Sequence, residues 1–157
     1  MRKIKLFIFN FILSLLGYFV IILLSYFILG ITAGAGEGFS SFPFWAKSII
    51  YLHSLISASL CFLLGLKLKL LDEHLSGHAL NYLSICGTVL LSLPLAYTRT
   101  YMFIFIALPF MGISLFSETI INITFEAQLV IVSFLPSLMT WLGMLYQSKN
   151  YNKSRAS

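Results

Sequence analysis

Four residues that could ligate a metal lie together in the most polar internal segment of the chain. Asp72, Glu73 and His74 are consecutive, and His78 follows four residues after His74. Residues four apart share one face of a helix, and zinc or iron accepts imidazole and carboxylate ligands. His53 would lie on the far part of a neighbouring helix, roughly 20 Å away or more at about 1.5 Å per residue. We therefore interpret the segment as a solvated connector of mixed charge and expect no bound metal or cofactor.

Two further polar residues lie inside apolar runs. An ionisable group within a membrane is a functional candidate, and His53 occupies such a position in the second run. The alternative that we favour is a neutral imidazole bonded to a serine hydroxyl or a carbonyl. Arg99 is the only charge in residues 79–116. It is a headgroup anchor if it lies between two crossings, and it needs Glu118 or Glu126 as a partner if it lies deeper.

Covalent catalysis finds little support in the sequence. The serines lie in packing stripes or loops, and none has an evident histidine and acid beside it. Asp72 is the only aspartate, which excludes a pair of catalytic aspartates. Cys61 and Cys86 lie in separate apolar runs and form no C-x-x-C motif. We expect a protein that is not an enzyme.

The composition identifies the solvent for which the chain is built. Hydrophobic residues make up 59% of the 157 residues and charged residues only 10%, against about 25% charged in soluble domains. The net charge of +5 comes mainly from Lys and Arg that flank apolar runs, where they set orientation and contact anionic headgroups. No basic stripe interleaved with aromatic residues supports nucleic-acid binding.

The apolar runs predict an all-α integral membrane protein, a compact bundle of four to five transmembrane helices in one domain. The first run is too long for the h-region of about 7–15 residues in a cleaved signal peptide. Residues 79–116 would form a straight helix of about 57 Å, too long for one crossing of a core of about 30 Å. Split at residues 97–100, they complete a set of five helices: 6–31, 45–66, 79–96, 101–116 and 127–146.

Small residues recur every four positions in two of these helices. Such spacing forms a groove where another helix backbone can approach closely. We expect each stripe to face another helix. One such arrangement is that the two stripes face each other. The stripes are Ser57, Cys61 and Gly65 in the second helix and Ser84, Thr88 and Ser92 in the third.

The number of crossings is left open by two rules that disagree. With four crossings, eight Lys and Arg lie on the cytoplasmic side and Lys47 alone lies outside, with Arg99 unassigned. With five crossings, each side holds five. Cytoplasmic loops hold the excess of basic residues, so charge favours four crossings, whereas segment lengths favour five helices. Both assignments place the N-terminus in the cytoplasm, and we expect a bacterial cytoplasmic (inner) membrane.

Three functions remain in order of preference. The first is a non-enzymatic multi-pass membrane protein that acts through helix–helix binding in the bilayer, as an accessory, assembly or immunity-type protein. Its partners would be the lipid bilayer and either another membrane protein or further copies of itself. The second is a small transporter or channel subunit. The third is a membrane enzyme that uses the Asp72–His78 segment at the cytoplasmic face.

Overall fold

The structure is a computed structural model, and it describes residues 2–32, 43–68, 78–91, 108–110, 112 and 125–156. Four α-helices and one short 3₁₀-helix account for most of this part of the chain. They are α1 (Arg2–Thr32), α2 (Phe44–Lys67), α3 (His78–Leu83), the 3₁₀-helix Leu108–Phe110 and α4 (Phe125–Ala156). The described residues contain no strand, which confirms the prediction of an all-helical chain.

Three helices within the described residues are long and apolar enough to cross a membrane. They are Lys3–Ile28, Phe44–Lys67 and Val130–Lys149, with mean hydropathies of 2.6, 2.0 and 1.4. A transmembrane helix needs about 20 predominantly apolar residues. The finding is compatible with an integral membrane protein. The described residues contain three candidate spanning helices, whereas the sequence predicts four to five.

The third predicted helix, 79–96, is interrupted. Helix α3 ends at Leu83, a turn occupies residues 84–86, and helical geometry resumes at 87–91. In the turn, the amide of Ile85 donates to the carbonyl oxygen of Tyr82 at 3.0 Å, an i→i−3 bond. The hydroxyl of Ser84 donates to the carbonyl oxygen of Asn81 at 2.7 Å, a local bond of the kind that competes with the helical ladder. Residues 92–96 lie outside the described residues.

The fourth predicted helix, 101–116, is described only at residues 108–110 and 112. There Pro109 lies within the 3₁₀-helix Leu108–Phe110. The apolar run 101–116 predicts an α-helix at Pro109, whereas the described geometry around it is the tighter 3₁₀ form. A missing backbone N–H is tolerated near the start of a helix.

The last helix is longer than the predicted 127–146, since α4 spans Phe125–Ala156. No glycine or proline follows Gly143, so nothing in the tail breaks the helix. Lys149, Lys153 and Arg155 also lie near its C-terminus, where positive charge is favourable to the helix dipole. The basic tail is therefore helical through Ala156.

Helix α2 lies at the centre, and α1, α4 and the 3₁₀-helix all pack on it. Gly17 of α1 lies beside Leu64 of α2, whereas Ser25 of α1 bonds to His53 of α2. Residue numbers therefore rise along α1 as they fall along α2, and the two helices run antiparallel.

Helix α4 runs in the same direction as α2. Ala58 of α2 shares an apolar cluster with Val132 of α4, and Leu68 shares the next cluster with Met144. The start of α1 and the ends of α2 and α4 consequently lie at one end of the bundle.

We call this end the basic end, because it carries most of the positive charge. The described residues at the opposite end that carry charge are Lys47, near the start of α2, and Glu126, in the first turn of α4. The basic end carries seven residues: Arg2, Lys3, Lys5, Lys67, Lys149, Lys153 and Arg155.

Polar residues fill the interior and apolar residues cover the outside of the described helices. Of the buried side chains, 13 are polar and 12 are hydrophobic, while 29 large hydrophobic side chains are exposed. A soluble protein buries its large hydrophobic residues and leaves most Ser, Thr, Asn and His exposed. The reversed distribution is the one expected of a bundle surrounded by lipid.

Candidate functional site

A buried polar cluster joins α1 to α2 at His53. The Nε2 atom of His53 lies 2.7 Å from the hydroxyl oxygen of Ser25 and 3.4 Å from that of Ser57. Ser25 itself donates to the carbonyl oxygen of Ile21 at 2.7 Å. Its oxygen is therefore available as an acceptor, and the imidazole donates to it from Nε2. The Nδ1 atom of His53 is buried without a hydrogen-bond partner in the described part of the chain.

The Ser25–His53 distance is that of a nucleophile and its general base, but the hydrogen-bond partners of His53 among the described residues are the hydroxyls of Ser25 and Ser57, with no carboxylate among them. Two features oppose catalysis in this arrangement. The proton of Ser25 is directed to a backbone carbonyl rather than to the imidazole. Ser25 is 0% exposed and His53 is 5% exposed, which leaves a substrate no route to the hydroxyl. The pair is best described as an interhelical hydrogen bond.

The backbone at Gly112 docks directly on α2. Its amide donates to the hydroxyl oxygen of Ser54 at 2.9 Å, and Ser54 donates to the carbonyl oxygen of Ile50 at 3.1 Å. A Cβ atom at Gly112 would lie 2.7 Å from the Ser54 oxygen and 2.8 Å from the Ile50 oxygen, so only glycine fits. The contact seats the buried ring of Phe110 against Tyr18 of α1, with ring centroids 6.5 Å apart.

Two long helices approach each other closely where Gly65 on α2 crosses Gly143 on α4. A Cβ atom at Gly143 would lie 3.0 Å from the Cα atom of Gly65 and would overlap the carbonyl oxygen of Phe62. A Cβ atom at Gly65 would overlap the carbonyl oxygen of Thr140. Backbones can meet in this way only where both helices have a glycine.

The described members of both predicted small-residue stripes are buried. Ser57, Cys61 and Gly65 are buried on α2, and Ser84 and Thr88 are buried in the third segment. Cys61 and Thr88 line the same cavity, whose volume of about 10 Å³ is close to that of a single water site. Ser92 lies outside the described residues.

The other predicted site residues are less fully described. Asp72, Glu73, His74 and Arg99 lie outside the described residues, and His78 begins α3. Among the residues that the structure describes, no group of three His, Cys, Asp or Glu side chains could hold a metal ion.

Three residues that complete these contacts were not singled out by sequence analysis: Ser25, Gly112 and Gly143. A signal for the first exists in the sequence, because polar residues of the apolar run in α1 all fall on its buried face. Those residues are Asn10, Ser14 and Ser25, and their spacings of four and eleven residues are helical. Gly112 has no such signal, since its role depends on the approach of two segments distant in sequence.

Comparison with known proteins adds no relative, because no protein-family model matches the chain and neither the curated proteins nor the solved structures include a match.

Proposed function

We propose that this protein is a multi-pass membrane protein of non-enzymatic type that acts through helix–helix binding in the bilayer. The observation that carries the proposal is the contrast between a closed polar interior and a large, bare apolar exterior, most of all on α1. The proposed location is a bacterial cytoplasmic membrane.

The interior supports this function because most of its hydroxyl groups are committed to the fold; among the described residues, the Thr88 hydroxyl is buried without a hydrogen-bond partner. Each of eight buried hydroxyls donates to a carbonyl oxygen three or four residues earlier in its own segment. They belong to Ser14, Ser25, Ser54, Ser84, Ser133, Ser137, Thr140 and Ser148. Such bonds satisfy the donors in a lipid environment, where an unsatisfied polar group is costly, and they leave few donors for a substrate.

The exterior of α1 offers the larger surface for a partner. Only 22% of its most apolar stretch is buried within the chain, against 39% for the corresponding stretches of α2 and α4. Its outward face includes Phe19, Leu23 and Phe27, each more than half exposed. A helix at the edge of the bundle with an uninterrupted apolar face is suited to side-by-side packing with another transmembrane helix.

The alternative is a small transporter or channel subunit. It is favoured by the buried imidazole of His53 and by the turn at 84–86 that interrupts the third segment, since transporters place ionisable groups and broken helices near the midplane. Ion flux through proteoliposomes that is abolished by His53→Phe would favour this alternative over the binding function.

Helix directions support four crossings with both termini in the cytoplasm. Helix α2 ends at the basic end and α4 begins at the opposite end, so the chain between them makes a net passage across the bundle. Ile85 packs with Leu68 near the basic end, whereas Gly112 contacts Ser54, which lies closer to the opposite end of α2. Together with the crossings of α1, α2 and α4, the passage of the chain between α2 and α4 gives four crossings of the membrane. The excess of Lys and Arg at the basic end assigns that end to the cytoplasm.

Photo-crosslinking in intact cells tests the binding function. A benzophenone amino acid at position 19, 23 or 27 of α1 is expected to give one adduct of constant mass with a membrane protein or a second copy. Position 55 of α2 is the control, because Leu55 is also outward and exposed at 61%. Lipid adducts alone at the three α1 positions, or the same protein adduct at position 55, would contradict the proposal.

A further inference from the structure

An exposed stripe on α4 changes from apolar to basic as the helix leaves the bundle. Leu142, Tyr146 and Lys149 are all exposed, and their spacings of four and three residues place them on one helical face. Lys153 is four residues further along the same face. We propose that this stripe binds the headgroup of an anionic phospholipid, with the acyl chain along Leu142 and the phosphate at Lys149.

The stripe lies at the level where such a headgroup would be found. Gly143 crosses Gly65, and the apolar helix α2 ends two residues later at Lys67. Lys149 is six residues beyond Gly143, so it lies roughly 6 Å further along the axis than Lys67 at about 1.5 Å per residue. Tyr146 falls between these levels, where the amphipathic ring of tyrosine is favoured at the membrane interface.

Charge complementarity selects an anionic ligand. The basic end carries seven basic residues on its three helix ends. The C-terminal part of α4 from Leu142 has three basic residues and no acidic residue. Basic residues next to a membrane-spanning helix attract anionic lipids at the cytoplasmic leaflet.

A lipid fits this surface better than an acidic protein does. The apolar and basic parts are continuous along one helix, and a phospholipid carries an acyl chain and a phosphate in one molecule. An acidic soluble partner would contact the charges and leave Leu142 and Tyr146 uncovered. This inference rests on the proposed membrane location but not on the proposed partner of α1.

Native mass spectrometry of the full-length protein in mild detergent tests the site, with phosphatidylglycerol and phosphatidylcholine as probes. With two charges on the stripe at about 1 kcal/mol each, phosphatidylglycerol is expected to bind about 30-fold more tightly than phosphatidylcholine. The double variant Lys149→Gln, Lys153→Gln is expected to lose most of that preference. The control Lys47→Gln removes a basic residue from the opposite end and should retain it.

Several results would overturn the proposal. Equal binding of the two lipids, or loss of the preference in Lys47→Gln, would show that the α4 stripe does not select the headgroup. Full competition by glycerol phosphate, which has no acyl chain, would assign the site to a free phosphate compound instead. Preference for an acidic peptide over phosphatidylglycerol would assign it to a protein. None of these results bears on the α1 crosslinks, so failure of the lipid site and failure of the binding function are distinguishable.

Discussion

Gly65→Leu is expected to lower the free energy of unfolding in detergent by about 3 kcal/mol, at the upper end of the cost of overpacking. Even the Cβ atom of the new side chain would overlap the carbonyl oxygen of Thr140. That oxygen belongs to the backbone of α4 and cannot rotate away, so the two helices must separate. Denaturant titration followed by circular dichroism measures the effect.

Gly30→Leu is the matched control. Gly30 also lies in a membrane-length helix, but a Cβ atom there would meet nothing within 4 Å. Replacing a helical glycine by leucine favours the helix by about 0.5–1 kcal/mol, so this variant should be as stable as the parent or more stable. Gly143→Leu should resemble Gly65→Leu, and the double variant should cost less than the sum, because both changes disrupt one crossing. Equal decreases in the free energy of unfolding for Gly30→Leu and Gly65→Leu would refute the close crossing of α2 and α4 at Gly65.

Gly112→Ala is expected to cost about 2 kcal/mol, because its Cβ atom would press on the Ser54 hydroxyl and on a backbone oxygen of α2. The Phe110–Tyr18 contact would loosen with it. Gly17→Ala and Gly87→Ala serve as comparisons, since their Cβ atoms would meet only side-chain atoms: Leu64 in the first case, Leu15 and Phe11 in the second.

The ranking of these three variants is the informative quantity. Flexible side-chain ends can move aside, so Gly17→Ala and Gly87→Ala should each lower the free energy of unfolding by less than half as much as Gly112→Ala does. Thermal unfolding in detergent, followed by tryptophan fluorescence, gives the order. A loss at position 17 or 87 as large as that at position 112 would mean that the Gly112 backbone is not seated on α2.

The sequence is most informative about structural features that depend on a single helix. Apolar runs predict the long helices, and the small-residue spacing of Ser57, Cys61 and Gly65 marks the face of α2 that is buried. Each of these features has the period of a single helix. The interruption at 84–86 has no such signal, because the apolar run continues through it and the local bond from Ser84 to Asn81 is one that many serines make inside intact helices.

The spacing of residues within one helix does not predict which residues of two helices contact each other. His53 is polar and intramembrane in any sequence-based interpretation, but its bond to Ser25 depends on the register of α1 against α2. Gly143 becomes a contact residue only because α4 runs parallel to α2, with Gly65 opposite it. That direction depends on the passage of the chain between α2 and α4, and the number of crossings stayed open because charge favours four whereas segment lengths favour five helices.

The central claim is that the bundle crosses a membrane with its basic end in the cytoplasm, and site-directed labelling tests it most directly. Single cysteines at positions 3, 47 and 149, in a chain with Cys61→Ala and Cys86→Ala, would be treated with a membrane-impermeant maleimide before and after lysis. We expect position 47 to react in intact cells and positions 3 and 149 to react only after lysis. Reaction of position 149 together with position 47 in intact cells would place the end of α4 on the outer side and contradict the four-crossing arrangement.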